Sequence, residues 1–301
     1  MAYSRTYSSR NIGIACLLAG AVLFSSKGVV IKLAYAYDVS SISLLGLRMI
    51  FSLPLFLLIG YFRGQRGRQH GTITPRDLGA ILLLGVIGYY LASYTDFLGL
   101  QYITAGMERV ILFTYPTLVL LIQRVTFGTR IRPVQWVATG ICYLGIFIAF
   151  SGSDLTSGSN FLKGAGLVFL SALFYACYII GSGRMAPRLG NIRFTSLALI
   201  TSSLAVITHV SLSTQPLLGL PIPVYAYGAG MAVFCTVIPS YLVTEGVKRL
   251  GAGDAAIVGA VGPMATILLE YLLLQEHINL LQGVGAVFII SGVVVIGRSK
   301  G

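Results

Sequence analysis

The stretch Ala105–Pro116, AGMERVILFTYP, returns as Ala252–Pro263, AGDAAIVGAVGP, 147 positions later. The same offset relates Ser93-Tyr94 to Ser240-Tyr241, Gly99 to Gly246, Gln135 to Gln282 and Gly145 to Gly292. An offset that holds over about fifty residues without insertion marks an internal duplication, and such a period constrains a fold before any local pattern does. In both copies a proline stands deep in an apolar segment. It removes one backbone hydrogen bond there and crowds the carbonyl four residues earlier, at Leu112 or Gly259. A membrane tolerates this where neighbouring helices or a wet cavity satisfy the freed group. Paired, proline-interrupted segments in two halves point to the binding site of a secondary transporter.

Prolines so placed are a defect in water and tolerable in a membrane, and the composition is that of a membrane protein. Hydrophobic residues make up 56% of the chain and charged residues 10%, with a mean hydropathy of +0.85. Soluble domains carry about 25% charge. The net charge of +12 would suit nucleic acid in a soluble chain. Here the Lys and Arg residues fall in short loops, so a lipid bilayer is the expected partner and nucleic acid is not. Cys16, Cys142, Cys177 and Cys235 lie in apolar runs without metal-site or redox spacing, so no metal, cofactor or disulfide is expected. The first apolar run extends from Ile12 to Ala34. That exceeds the roughly 7–15 residues of a cleaved signal core and reads as a first span.

Ten segments approach the roughly 17–25 residues that cross a bilayer. They lie near 12–34, 40–62, 78–99, 103–125, 134–151, 162–183, 194–212, 224–246, 253–274 and 280–297. With the N-terminus in the cytoplasm, sixteen Lys and Arg fall on the cytoplasmic side and only Lys163 opposite; Lys27, Lys32, Arg48 and Arg109 stay within spans. The bias predicts a multi-pass protein of the cell inner membrane with both termini cytoplasmic. Five spans per half is an odd number, so the second half enters upside down. The expected fold is an all-α integral membrane protein of ten transmembrane helices in two inverted repeats, 1–151 and 152–301. Pro116 and Pro263 then lie roughly 15 Å deep from opposite faces, near the midplane.

These features resemble an EamA-type permease of the drug/metabolite transporter superfamily over nearly the whole chain. The likeness is carried by FSSKGVVIKLAY with Leu47-Arg48, by the AG…P segment in each half, and by Glu276, Gln282, Gly285 and Gly292 at the end; Thr129 stands where the first repeat would carry a glutamate. The resemblance implies alternating access around a cavity formed by spans one to four and six to nine, with five and ten as peripheral supports. It also implies a structural or gating role for Arg48 and is silent on substrate.

Charges within spans are costly and are therefore functional candidates. Lys27 either presents an ammonium to the cavity, for a substrate carboxylate or an internal acid, or snorkels outward; its depth favours the first. Lys32, nearer its span end, snorkels readily. Glu108 and Arg109 are adjacent, about 100° apart on a helix, and are not expected to pair with each other. Arg109 with Asp96, and Glu108 with Lys32 or Arg48, would make an outer ion-pair gate; an interfacial cluster among headgroups is the alternative. Glu270 is a proton-coupling candidate, with an interfacial reading equally open beside Glu276 and His277. Asp254 opens its helix, where the dipole favours a carboxylate.

Mid-span tyrosines offer an apolar ring with a polar tip. Tyr90, Tyr94, Tyr115, Tyr178 and Tyr241, with Pro116 and Pro263, are the substrate-binding candidates beside Lys27. The expected function is secondary transport of a small organic metabolite (amino acid, organic acid or amine), outward, with proton or ion coupling and a homodimer as open features. Lys27 and the tyrosines favour a substrate with a carboxylate and an aromatic part. An intramembrane enzyme would need a nucleophile, metal or acid-pair constellation that three histidines and no G-x-S-x-G do not supply. A passive channel or scaffold remains the other alternative, and single-channel current separates the first of these from a carrier.

Overall fold

The apolar runs wind into helices, and the prolines and glycines decide where they stop. The computed structural model describes residues 2–64, 72–151, 160–215, 217–274 and 280–298, and no strand occurs among them. The helices are α1 (Ala2–Tyr35), α2 (Ser41–Gly64), α3 (Pro75–Gly85), α4 (Ala92–Gly99), α5 (Ala105–Leu112), α6 (Tyr115–Phe127) and α7 (Pro133–Phe150). There follow α8 (Phe161–Leu189), α9 (Asn191–Leu212), α10 (Ile222–Ala232), α11 (Ile238–Leu250), α12 (Ala252–Val258), α13 (Gly262–Leu274) and α14 (Leu280–Arg298). The Glu270 side chain, Glu276, His277 and the Gly152–Gly158 link lie outside the described residues.

Nine stretches among the described residues are long and apolar enough to cross a membrane, from Ser9–Tyr35 to Leu280–Arg298. The expected fifth span is a shorter apolar helix, Pro133–Ala149. Pro133 fixes its start, because a proline in the first turn forfeits no helical hydrogen bond. At about 1.5 Å per residue, the 18 residues of α7 rise about 27 Å. Large apolar residues face outward where a soluble protein would place charge, among them Leu58, Phe147 and Val287.

The two repeated proline segments are both broken. α5 ends at Leu112 and α6 begins at Tyr115, while α12 and α13 are joined by one 3₁₀ turn, Gly259–Val261. Pro116 and Pro263 thus fall in the first turn of the following helix, where the missing N–H costs little. A second irregularity recurs at the same offset. α3 joins α4 through a π-helical stretch, Val86–Leu91, and α10 joins α11 through another, Val233–Val237. In the second, the Thr236 hydroxyl donates to the Met231 carbonyl five residues back at 2.9 Å. Such π turns cluster at functional sites.

Thr74 and Asp77 open α3 as a reciprocal cap: Thr74 Oγ1 accepts from the Asp77 N–H at 3.3 Å, and Asp77 Oδ2 accepts from the Thr74 N–H at 3.0 Å. α7 and α14 pack on each other through bare backbone. A Cβ on Gly145 would lie 2.6 Å from the Gly285 carbonyl oxygen, and one on Gly292 would lie 2.8 Å from that of Ala138. Small residues permit this approach between helices in lipid.

Candidate functional site

A cavity of about 110 Å³ opens where the two broken helices meet. Leu112 and Tyr115 flank one break and Gly259 and Gly262 the other, and all four line it. The π turns contribute Gly88, Tyr89 and Thr236; α1, α2, α4, α8 and α11 complete the wall. Neither α7 nor α14 supplies a lining residue among those described, as expected of peripheral supports. The seventh span differs from expectation: α9 contributes no lining residue, because it packs on the flanks of α2 and α3.

Five charged side chains gather beside the cavity. Lys27 Nζ sits 2.5 Å from Asp96 Oδ2 and 4.0 Å from Glu108 Oε1. Arg109 Nε lies 2.9 Å from Glu108 Oε2, and Arg109 Nη2 donates to the Phe24 carbonyl at 3.3 Å. The expected partners are therefore corrected. Asp96 takes Lys27 rather than Arg109, and Glu108 takes Arg109 and Lys27 rather than Lys32 or Arg48. The adjacent pair does meet, because both long side chains bend toward one buried space; Glu108 is fully buried and Arg109 nearly so. Lys27 meets an internal acid, one of the two partners its depth suggested.

Arg48 is 2% exposed. Its Nη2 donates to Ser93 Oγ at 2.8 Å, and its guanidinium carbon stands 4.9 Å from the Phe97 ring centroid. Its Nε is buried without a hydrogen-bond partner. The wall of the cavity carries Lys27, Arg48 and Arg109 but neither Asp96 nor Glu108.

The tyrosines divide. Tyr115 lines the cavity, and its hydroxyl donates to the Ala256 carbonyl at 3.0 Å. Tyr90 and Tyr94 stack on each other with centroids 6.3 Å apart and contact His209, away from the lining. Tyr178 is enclosed by Tyr89, Tyr175 and Phe194, and the Tyr241 hydroxyl pairs with Ser196 at 2.7 Å. Pro116 and Pro263 are buried beside the lining and shape it through the breaks they follow. Tyr175, which the sequence places on one face of its span with Tyr178, lines the cavity, and so does Tyr89, which the sequence did not single out. A π turn inserts one extra residue, so a face deduced from a 3.6-residue period is displaced beyond it.

A second polar centre lies at the start of α12. Asp254 Oδ1 accepts from Arg132 and, at 2.9 Å, from Gln135 Nε2, while Oδ2 is 3.7 Å from Arg10 Nη2. Arg10 also donates to the Ile296 carbonyl at 2.8 Å and to that of Gly297 at 3.2 Å. Asp254 thus opens its helix, as expected, and in addition joins α1, α7 and α12, with Arg10 extending the link to α14. Among the described residues no group of His, Cys, Asp and Glu has the arrangement of a metal site.

Known proteins resemble this chain end to end. The transporter YcbK of Bacillus subtilis (strain 168) is 30% identical, with 92% of this chain and 91% of that one covered. The transporter sll1319 of Synechocystis is 24% identical over 98% of this chain and 96% of its own length. The inner membrane transporter YicL of Salmonella typhimurium is 25% identical, covering 94% of both. A protein of solved crystal structure, 18% identical, superposes with a TM-score of 0.74 over 97% of this chain and 98% of that one, which shows a shared fold. The model of the EamA-like transporter family matches residues 11–151 and again 162–298. With one family description accounting for both halves around the cavity, this multi-pass membrane chain belongs to the EamA-like transporter family.

Proposed function

We propose that the protein is a secondary transporter that moves a small organic metabolite outward across the cytoplasmic membrane by alternating access. The observation that carries this reading is that two broken helices, related by the 147-residue offset, line one cavity and touch across it through Tyr115 and Ala256. A break lets each half-helix tilt without losing the hydrogen bonds of the other half. In the proposed architecture α7 is a tenth span and the halves are inverted five-helix repeats. The sixteen-to-one distribution of basic residues supports cytoplasmic termini. The Lys27–Asp96 and Arg109–Glu108 pairs form the proposed gate, closed while paired.

Counterflow in proteoliposomes tests the reading. Vesicles preloaded with amino acids, organic acids or amines are diluted into labelled traces of the same compound, with and without a pH gradient. Saturable exchange absent from empty vesicles supports a carrier, and its dependence on the gradient reports proton coupling. Discrete single-channel currents, or no exchange with any class, would overturn it.

A further inference from the structure

Among the described residues the charges beside the cavity do not balance, and the imbalance falls on one residue. Lys27, Arg48 and Arg109 are cations; Asp96 and Glu108 are the acids. Both acids are engaged, Asp96 by Lys27 at 2.5 Å and Glu108 by Arg109 at 2.9 Å. Arg48 has no carboxylate within ion-pair distance among the described residues. It makes one hydrogen bond, to the neutral hydroxyl of Ser93, and its Nε has no acceptor. Burying a cation without a counterion is strongly unfavourable. At 2% exposure Arg48 cannot recover that cost from bulk water.

Asp96 Oδ1 and both Glu108 oxygens also lack a hydrogen bond, but neither acid lines the cavity; the lining polar groups beside Arg48 ask for an acceptor as it does. The Tyr89 hydroxyl is buried without a hydrogen-bond partner, and Tyr89 lines the cavity beside Arg48. Ser93 accepts from Arg48, and no acceptor for its own hydrogen is found among the described residues. Of the other lining hydroxyls, Ser25 donates to the Ala21 carbonyl, Ser171 to that of Ala92, Thr236 to that of Met231 and Tyr115 to that of Ala256, while the Tyr175 hydroxyl is one more donor in reserve. What the wall holds in reserve is therefore N–H and O–H donors around a positive charge. Among the described residues it holds no carboxylate to receive an ammonium. A guanidinium presents parallel N–H groups that match a carboxylate's two oxygens.

We propose that the cavity takes an organic monoanion, its carboxylate on Arg48 with Ser93 and Tyr89, and its apolar or aromatic part against Phe24, Tyr115 and Tyr175. The proposal rests on the reading of this cavity as the substrate site and narrows its substrate class. One negative charge neutralises the surplus cation, whereas an amine adds to it. It also moves the carboxylate contact from Lys27, which already holds Asp96, to Arg48.

The test uses two molecules with the same ring and opposite charge, phenylacetate and phenethylamine, at millimolar concentration. Thermal unfolding of the purified full-length protein in detergent is followed for the wild type, Arg48→Gln, Arg48→Lys and Tyr89→Phe. A ligand that binds only the folded state raises the melting temperature. Phenylacetate is expected to stabilise the wild type and phenethylamine to leave it unchanged. Arg48→Gln should weaken phenylacetate binding by about tenfold or more, the scale of a lost charged hydrogen bond, and Arg48→Lys should retain part of it. If Arg48→Gln does not fold, Tyr89→Phe serves alone, with an expected loss of about threefold to tenfold. Phenylacetate binding undiminished in the folded variants, stabilisation by phenethylamine alone, or no stabilisation by either compound would overturn the proposal. Counterflow separates its failure from that of the transporter reading: exchange of amines without exchange of carboxylates leaves a carrier whose monoanion site is wrong.

Discussion

The Tyr115 hydroxyl ends on the Ala256 carbonyl at 3.0 Å and against the bare α-carbon of Gly259, so one phenol spans the gap between the two broken helices. A methyl group on Gly259 would occupy the position of that hydroxyl. Gly259→Ala is therefore expected to lower stability by about 1–3 kcal/mol through overpacking. Tyr115→Phe in the same chain should return part of the loss by vacating the space. Melting temperatures of both singles and the double in detergent check this, and strictly additive losses would contradict the contact.

The charge pairing predicts a pattern of couplings. Neutralising one partner of a buried pair costs about 3–5 kcal/mol. Lys27→Met and Asp96→Asn should each destabilise, and the double should cost less than their sum by about 1–3 kcal/mol. The Arg109→Met and Asp96→Asn combination should show a smaller coupling, because those side chains have different partners. Equal couplings in the two cycles would remove the assigned pairing.

The helix pair α7 and α14 separates stability from binding. Gly145→Ala places a methyl 2.6 Å from the Gly285 carbonyl oxygen and 2.8 Å from Ile289 Cγ1. The melting temperature should fall by the equivalent of about 1–3 kcal/mol. Ligand affinity measured on the folded fraction should stay at the wild-type value, since neither helix lines the cavity. A changed affinity with unchanged stability would place α14 in the site.

Asp254→Asn tests the second polar centre. It keeps the shape and removes the charge that Arg132 and Arg10 share. The loss should be about 1–3 kcal/mol, smaller than at Asp96 because both arginines are partly exposed. Limited proteolysis should cleave the variant near Arg132 sooner than the wild type. Unchanged cleavage would show that the carboxylate does not hold α7 to α12.

The breaks at Leu112 and Gly259 were legible because proline acts on its own backbone, and a fixed offset makes one proline predict the other. The close approach of α7 and α14 was legible from Gly145 and Gly292 for the same reason: a missing side chain has the same consequence in any rotamer. The partners of the charges were not. Glu108 and Arg109 point about 100° apart at the helix axis, yet their side chains are long enough to meet. Lys27 reached Asp96 before Arg109 could, a competition set by which helices touch. The identity of the lining tyrosines failed at the π turns, which carry no hydrophobic period of their own; Gly85 and Gly88 were the available signal around Tyr89.

Arg10 reaches the carbonyls of Ile296 and Gly297 across 286 and 287 positions, and Asp254 across 244. Such closures are the slowest to form, because ends so distant in sequence must find each other. During synthesis Arg10 is made long before α12 and α14, the helices that carry its partners Asp254, Ile296 and Gly297. This corner therefore closes α1 onto α12 and α14 only after both have been made, which sets it apart from contacts between helices adjacent in the chain.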